Sequence, residues 1–257
     1  MTKKNLPIEQ LKKEDLSNIK MIIFDVDGVL VPRGTKIKQN GEMIEFNIKK
    51  IPSELIDQIK KLYQLGFHIN ISSGRGLYML QNMFRDILPY VSLTFENGSA
   101  TWHKGKIIQH INSFEQLAEL NSKLTEIKHK NIKGFEPKEL IITIHCHDRV
   151  EEIENTSKKY DQLYCLWNGE AYDFGIKETQ TKGEGIKQLR AHLGFDKDNT
   201  LAIGDNYNDI ELLNEAGLAI SADKTRLEGD YCVPLNEDKL PAHYLMEQIL
   251  KVMNHIE

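Results

Sequence analysis

Apolar residues in this chain fall into short runs set between turn-forming residues, and the runs switch between two periods. Met21-Ile22-Ile23-Phe24 is continuous and of strand length, as expected for a strand buried on both faces. After Pro52, the positions Leu55, Ile56, Ile59, Leu62 and Tyr63 recur at helical spacing, and Gly66 stops the helix. Phe67–Ser72 predicts a second strand, Leu77–Leu88 a helix closed by Pro89, and Ser92–Phe95 a third strand. This β-α-β-α-β rhythm implies a parallel sheet with right-handed crossovers. Between the first strand and the first helix, Lys36–Gln39 and Met43–Ile48 flank Asn40-Gly41, which predicts a small hairpin flap.

The pattern then changes. Ala100–His110 predicts a hairpin turning at Lys104-Gly105. Ser113-Phe114-Glu115-Gln116 has the form of a capping box and opens a helix to about Lys128. Leu140–His147 is expected to be a strand, Asp148–Lys158 a helix, and Leu163–Trp167 and Glu170–Phe174 a hairpin around Asn168-Gly169. Hairpins mixed with helices predict an α+β insert. From Lys182 the α/β rhythm returns: helix Gly183–Leu193, strand Leu201–Ile203, helix Asp209–Ala216, short strands Leu218–Ile220 and Tyr231–Val233, and a terminal helix Tyr244–Met253. The expected fold is α/β, a Rossmann-like parallel-sheet core with an inserted α+β cap. Its core is discontinuous, 21–98 plus 177–257, and the cap is 99–176. An N-terminal extension, 1–20, carries Leu6, Ile8, Leu11, Leu16 and Ile19 among charges and is expected to pack on the body as a short amphipathic helix, the alternative being a frayed tail.

Composition narrows the function classes. The chain has 257 residues, 40% of them hydrophobic, which is enough for a sizeable core, and a formal net charge of −5. No basic surplus points to nucleic acid, and no apolar run approaches the ~20 residues of a membrane span. Three widely spaced cysteines, Cys146, Cys165 and Cys232, predict a reducing compartment without a disulfide framework. The polar N-terminus lacks an apolar signal core. A cytoplasmic protein is the expectation, and a homo-oligomer is allowed.

Four segments carry chemistry, each at the end of an expected strand or the start of a helix, the edge where open α/β sheets bind ligands. Asp25 and Asp27 lie two apart at a strand end, so both carboxylates can converge on one ligand, and Gly28 lets the backbone turn close to it. Such a pair suits a nucleophile, an acid/base and a hard metal ion. It also suits a helix cap or a solvated turn. Ser73-Gly74 can hold phosphoryl oxygens, or merely make a turn. Lys182 can offset negative charge on a phosphoryl group, although a lone lysine is more often a surface residue. In Gly204-Asp205-Asn206-Tyr207-Asn208-Asp209, Asp205 suits direct Mg²⁺ binding, Asp209 an indirect metal role, and Asn208 a phosphate contact or the orientation of Lys182. The same segment can be a capping turn.

Taken together, in this order, the four segments resemble the motifs of haloacid-dehalogenase-superfamily phosphatases. Asp25-Val26-Asp27-Gly28-Val29-Leu30 is similar to the first motif, Ser73 to the second, Lys182 to the third, and the Gly204–Asp209 segment to the fourth. Ser73-Gly74-Arg75, Glu96-Asn97-Gly98 and the late insert before Lys182 are similar to the subgroup with a type-IIB cap (Cof-like), many of whose members are sugar-phosphate phosphatases. The resemblance implies Asp25 as nucleophile, Asp27 as general acid/base, and Mg²⁺ held by Asp25, the Asp27 main-chain carbonyl and Asp205. It implies a small phosphorylated metabolite as substrate, chosen by the cap. Departures are Val29, where the subgroup usually has Thr, a short insert, and a long flap similar to that of capless phosphatases of eight- and nine-carbon sugar acids. Phosphoryl transfer to a sugar hydroxyl, as in a hexose-phosphate mutase, uses the same machinery, and a non-catalytic binder of a phosphorylated ligand is the remaining alternative.

Outside the motifs, Arg75 can contact substrate or cap a helix, and Asn97 can reach substrate or hold the turn into the cap. His145-Cys146-His147-Asp148 looks metal-like, but alternation puts Cys146 on the face opposite the histidines and no second pair completes a zinc site. One of these histidines is expected to meet substrate instead.

Overall fold

The computed structural model describes residues 4–34, 36–41, 43–235 and 238–254, so the first three residues of the N-terminal extension lie outside the described residues. The chain enters the fold at a sheet edge, where Leu6–Pro7 (β1) pairs in parallel with Tyr231–Cys232. Proline is tolerated there because an edge strand need not donate on its outer side. Ile8, Leu11, Leu16 and Ile19 then plug into the core. The extension therefore packs on the body as expected, but as an edge strand and two single turns of 3₁₀ helix rather than as an amphipathic helix.

The remaining elements follow in order. Met21–Asp25 (β2) leads to the flap strands Lys36–Asn40 (β3) and Met43–Asn47 (β4), helix Ser53–Gln64 (α1), His68–Ser72 (β5), Leu77–Met83 (α2) and Val91–Phe95 (β6). Ala100–His103 (β7) and Lys106–Gln109 (β8) form a hairpin, followed by Phe114–Glu126 (α3), Ile132–Glu136 (β9), Ile142–Cys146 (β10), Glu151–Ser157 (α4), Leu163–Trp167 (β11) and Ala171–Ile176 (β12). Lys182–Leu193 (α5), Thr200–Gly204 (β13), Ile210–Asn214 (α6), Leu218–Ser221 (β14), Tyr231–Cys232 (β15) and Pro241–Asn254 (α7) complete the chain.

Two main sheets organise these elements. A nine-stranded sheet has the order β1-β15-β14-β13-β2-β5-β6-β7-β8, parallel from β1 to β6, and a four-stranded antiparallel sheet has the order β11-β12-β10-β9. β2 is central and buried along its whole length because helices cover both faces of a parallel sheet. Its fully buried Ile22, Ile23 and Phe24 each contribute roughly 1.5–3 kcal/mol. Ile22 and Phe24 pack into one apolar cluster and Ile23 into another, one on each face of the sheet.

Three further sequence readings need correction. The hairpin β7–β8, expected to open the insert, instead extends the large sheet, because the chain doubles back after Phe95 and β7 pairs antiparallel with β6. The turn that does this holds Glu96, Asn97 and Gly98 at positive φ (49°, 53° and 87°). A side chain at Gly98 would press against the start of α5, 3.0 Å from Gly185 N, so the glycine is needed there. The capping box at Ser113 does not form: its hydroxyl donates to the Leu140 carbonyl, and Gln180 Nε2 donates to Ser113 Oγ at 3.0 Å. The α3 helix holds through its apolar stripe, Leu117, Leu120 and Leu124. The helix expected over 77–88 ends at Met83, in a buried turn at Phe84 and Ile87. No helix among the described residues is long and apolar enough to cross a membrane.

Candidate active site

Strand register brings the candidate residues together. β2 lies between β13 and β5, with Phe24 opposite Ile203 and Asp25 opposite Ser72. Asp205 therefore leaves the sheet on one side of Asp25, and Ser73 on the other. Opposite this edge stands the four-stranded sheet, and between them is a cavity of about 390 Å³. Asp25, Asp27, Ser73, Gly74, Arg75, Lys182, Asp205 and Asn208 all line it.

Lys182 is the electrostatic hub. Thr181 caps α5 by accepting from Glu184 N at 3.2 Å, which seats Lys182 in the helix's first turn. Its ammonium is buried and donates to Asp25 Oδ1 at 2.5 Å and Asp209 Oδ1 at 2.6 Å. Burial disfavours that charge, but Asp209 and Asp25 outweigh it and hold Lys182 protonated, above the ordinary lysine range. The second Asp209 oxygen accepts from the backbone N–H of Asp205 (3.0 Å) and Asn206 (3.2 Å). Asp209 thus lies beneath the site, outside the cavity lining, and positions Lys182 and the Asp205 turn.

Asp25, Asp205 and Asp209 form an acidic cluster whose ligand oxygens lie within 4.8 Å of one another. Burial, then Asp209, push Asp25 well above the usual carboxylate range, against the pull of Lys182. Burial and Asp209 push Asp205 up to about 7, against Arg33. Crowded, desolvated carboxylates of this kind fit a hard cation, whose charge relieves both effects. Arg33 takes part of that role, since its Nε donates to Asp205 Oδ2 and its Nη2 to the Asp205 carbonyl at 2.7 Å. Gly28 has φ +87°, and a side chain there would run into the Asp205 carboxylate and lie 2.9 Å from Arg33 Nε. Only glycine lets the first turn approach the fourth segment this closely.

Asp27 shares the cavity lining but is paired with a different arginine. Arg75 grips it with a two-pronged pair, Nε to Oδ2 at 2.8 Å and Nη2 to Oδ1 at 2.7 Å. Arg75 is buried, which disfavours its charge, but Asp27 more than compensates. Ser73 Oγ accepts from Arg75 N at 3.2 Å, so the Ser73-Gly74-Arg75 turn is braced internally. Asn97 does not line the cavity: it is buried and donates to the Tyr164 hydroxyl at 3.4 Å. Its neighbour Glu96 accepts from the backbone N–H of Leu140 (2.6 Å), Ile141 (3.1 Å) and Glu139 (3.3 Å), tying the central sheet's edge to the approach of β10.

Sequence reasoning missed several lining residues. Arg33 gave no signal, being one arginine in a polar excursion. Glu136 and Lys138 went unnoticed because β9 was not recognised: Ile132-Lys133-Gly134-Phe135 mixes apolar, charged and glycine positions. The i, i+2 spacing of Glu136 and Lys138 was the available clue. His145 lines the cavity, bonded to Glu136 Oε2 at 2.8 Å, whereas His147 is exposed and Cys146 is buried on the opposite face of β10, among the apolar residues.

A family model described as haloacid dehalogenase-like hydrolase matches residues 22–163 and 109–225, most of the chain. Over 245 residues the chain is 23% identical to a phosphoglycolate phosphatase of Sulfolobus acidocaldarius, covering 92% of this chain and 99% of that one. It is 24% identical over 233 residues to the 5-amino-6-(5-phospho-D-ribitylamino)uracil phosphatase of Bacillus subtilis, covering 82% and 86% respectively. Among solved structures, the subclass IIB sugar phosphatase BT4131 superposes with a TM-score of 0.62 at 20% identity, covering 91% of this chain and 98% of that one. The phosphatase BT1666 from Bacteroides thetaiotaomicron gives 0.68 at 18% identity, covering 91% and 95%. The order of motifs, the sheet that gathers them and the match across most of the chain agree: the chain belongs to the haloacid dehalogenase-like hydrolase family and shares its fold with the subclass IIB sugar phosphatase BT4131.

Proposed function

We propose that this protein is a Mg²⁺-dependent phosphatase that hydrolyses a small phosphomonoester, a sugar phosphate by class, through an aspartyl-phosphate on Asp25. The observation that carries this reading is the convergence of Asp25, Lys182 and Asp205 on one cavity, from elements far apart in the chain.

Asp25 attacks phosphorus and expels the alcohol, splitting one difficult displacement into two easier ones. Lys182 holds the Asp25 carboxylate in place and offsets charge that builds on the phosphoryl oxygens. Ser73 and the backbone amide at Asp27 would hold those oxygens, whereas the Gly28 N–H, expected beside them, donates to the Val31 carbonyl at 2.7 Å. Asp27 protonates the departing alkoxide, then takes a proton from the water that hydrolyses the aspartyl-phosphate. Arg75 orients Asp27 for both steps. Asp25, Asp205 and the Asp27 carbonyl would hold the Mg²⁺, which when bound supplies charge neutralisation at the phosphoryl group. Asn208, on the cavity wall, contacts phosphate. In this reading the four-stranded sheet with α3 and α4 is the cap, the hairpin β7–β8 stays with the core, and the cap excludes bulk water while the ester is bound.

The test is phosphate release over sugar phosphates, nucleotides and small phosphorylated acids, with Mg²⁺ added and after chelation. Release that needs Mg²⁺ is the expected result. No release from any ester, or release unaffected by chelation, refutes it.

A further inference from the structure

One face of the four-stranded sheet is apolar, and the other carries a buried polar row. Ile142, Ile144, Tyr172 and Phe174 turn one way, into a cluster with α3 and α4. Thr143 pairs in register with Glu136 on β9 and with Asp173 on β12, so these three side chains share the opposite face. His145, two residues on, joins them, and opposite it stands the small Ala171. All five line the cavity.

The charges in this row are unbalanced toward the anionic. Lys138 is the one lysine or arginine that β9 to β12 and their turns contribute to the described lining, against Glu136, Glu170 and Asp173. That lysine is committed: its Nζ donates to Thr143 Oγ1 at 2.6 Å and lies 3.4 Å from Glu136 and 4.0 Å from Asp173. Thr143 in turn donates to Asp173 Oδ1. Burial works against a charge on Glu136, but Lys138, the His145 bond and Arg75 prevail and hold it ionised, at about 2. Its Oε2 is taken by His145, while Oε1 is buried, is ion-paired with Lys138 Nζ at 3.4 Å and accepts no hydrogen bond among the described residues. A carboxylate oxygen held by an ion pair alone still has lone pairs to fill, and a ligand hydroxyl or ammonium at this point would supply the hydrogen bond that Lys138 does not.

We infer that Glu136, Thr143, His145 and Asp173 select the alcohol portion of the ester, accepting leaving groups that bring hydrogen-bond donors and rejecting those that bring a carboxylate. This deepens the phosphatase reading and rests on it. A substrate carboxylate would meet Glu136 and Asp173 with Lys138 already shared between them. Like charges buried together discriminate more sharply than a change of shape does. The low identity to a phosphoglycolate phosphatase therefore does not carry that substrate over.

The experiment compares kcat/KM of the full chain for p-nitrophenyl phosphate, phosphoglycolate, a hexose 6-phosphate and a 2-amino-hexose 6-phosphate. The two hexose esters are expected to exceed phosphoglycolate by at least tenfold, and their ratio tells hydroxyl from ammonium recognition. Glu136→Gln should shrink the hexose-to-phosphoglycolate ratio about tenfold, with Asp173→Asn as a second variant if the first fails to fold by circular dichroism. Turnover of p-nitrophenyl phosphate with phosphoglycolate equal to or better than both hexose esters overturns the selection and leaves the phosphatase reading standing. No turnover of any ester overturns both.

Discussion

Lys182 Nζ lies 2.5 Å from Asp25 Oδ1, although 157 positions separate the two residues in the chain. Asp25→Asn keeps this side chain's shape and removes its charge and nucleophilicity. Phosphate release should fall at least about 10³-fold while the circular dichroism spectrum stays unchanged. Ordinary turnover by the variant would remove Asp25 from the nucleophile's role.

Lys182→Met should cost stability as well as rate. It leaves Asp25 and Asp209 buried without their shared cation, and breaking a buried pair from one side costs about 3–5 kcal/mol. Urea denaturation measures this directly. A midpoint equal to that of the parent protein would mean that the ammonium is not the partner holding these carboxylates.

Arg75→Lys should slow catalysis with little loss of fold. Lysine keeps the charge but cannot reproduce the two-pronged grip on Asp27. With Asp27 as acid and base, kcat should drop about 10–100-fold, because lysine holds the carboxylate less firmly in the geometry that proton transfer needs. A KM effect alone, with kcat intact, would make Arg75 a binding residue only.

His68 should make the fold acid-sensitive. Burial, with help from His103 and Lys104, lowers this imidazole to about 4, so the native state keeps it neutral. Its ring nitrogen bonds Ser92 Oγ at 2.8 Å, and its ring meets that of His103 edge-on at 5.2 Å. Unfolded, it takes up a proton near its ordinary 6.5. Between pH 6.5 and 4 the unfolded chain therefore binds more protons, and stability falls as pH falls, by on the order of 3 kcal/mol in total. Melting temperature against pH for the parent and for His68→Gln is the check: the variant's profile should be flatter over this window, and parallel profiles would exclude His68 as the cause.

The sequence by itself determined the core and the candidate catalytic set. Buried parallel strands write themselves as unbroken apolar runs, and Asp25, Ser73, Lys182 and Asp205 each stand next to an element boundary that local physics marks. β9 was not legible, since its polar face looks inward and mixes charge, glycine and apolar residues in the manner of a loop. The membership of β7–β8 was not legible either, because a hairpin's own residues do not say which sheet edge it will join. Tertiary structure alone decided the pairings of Arg75 with Asp27 and of Arg33 with Asp205, and the row Glu136–Thr143–Asp173. These depend on strand register between segments distant in sequence, and a charged residue carries no local sign of the partner that the fold will bring to it.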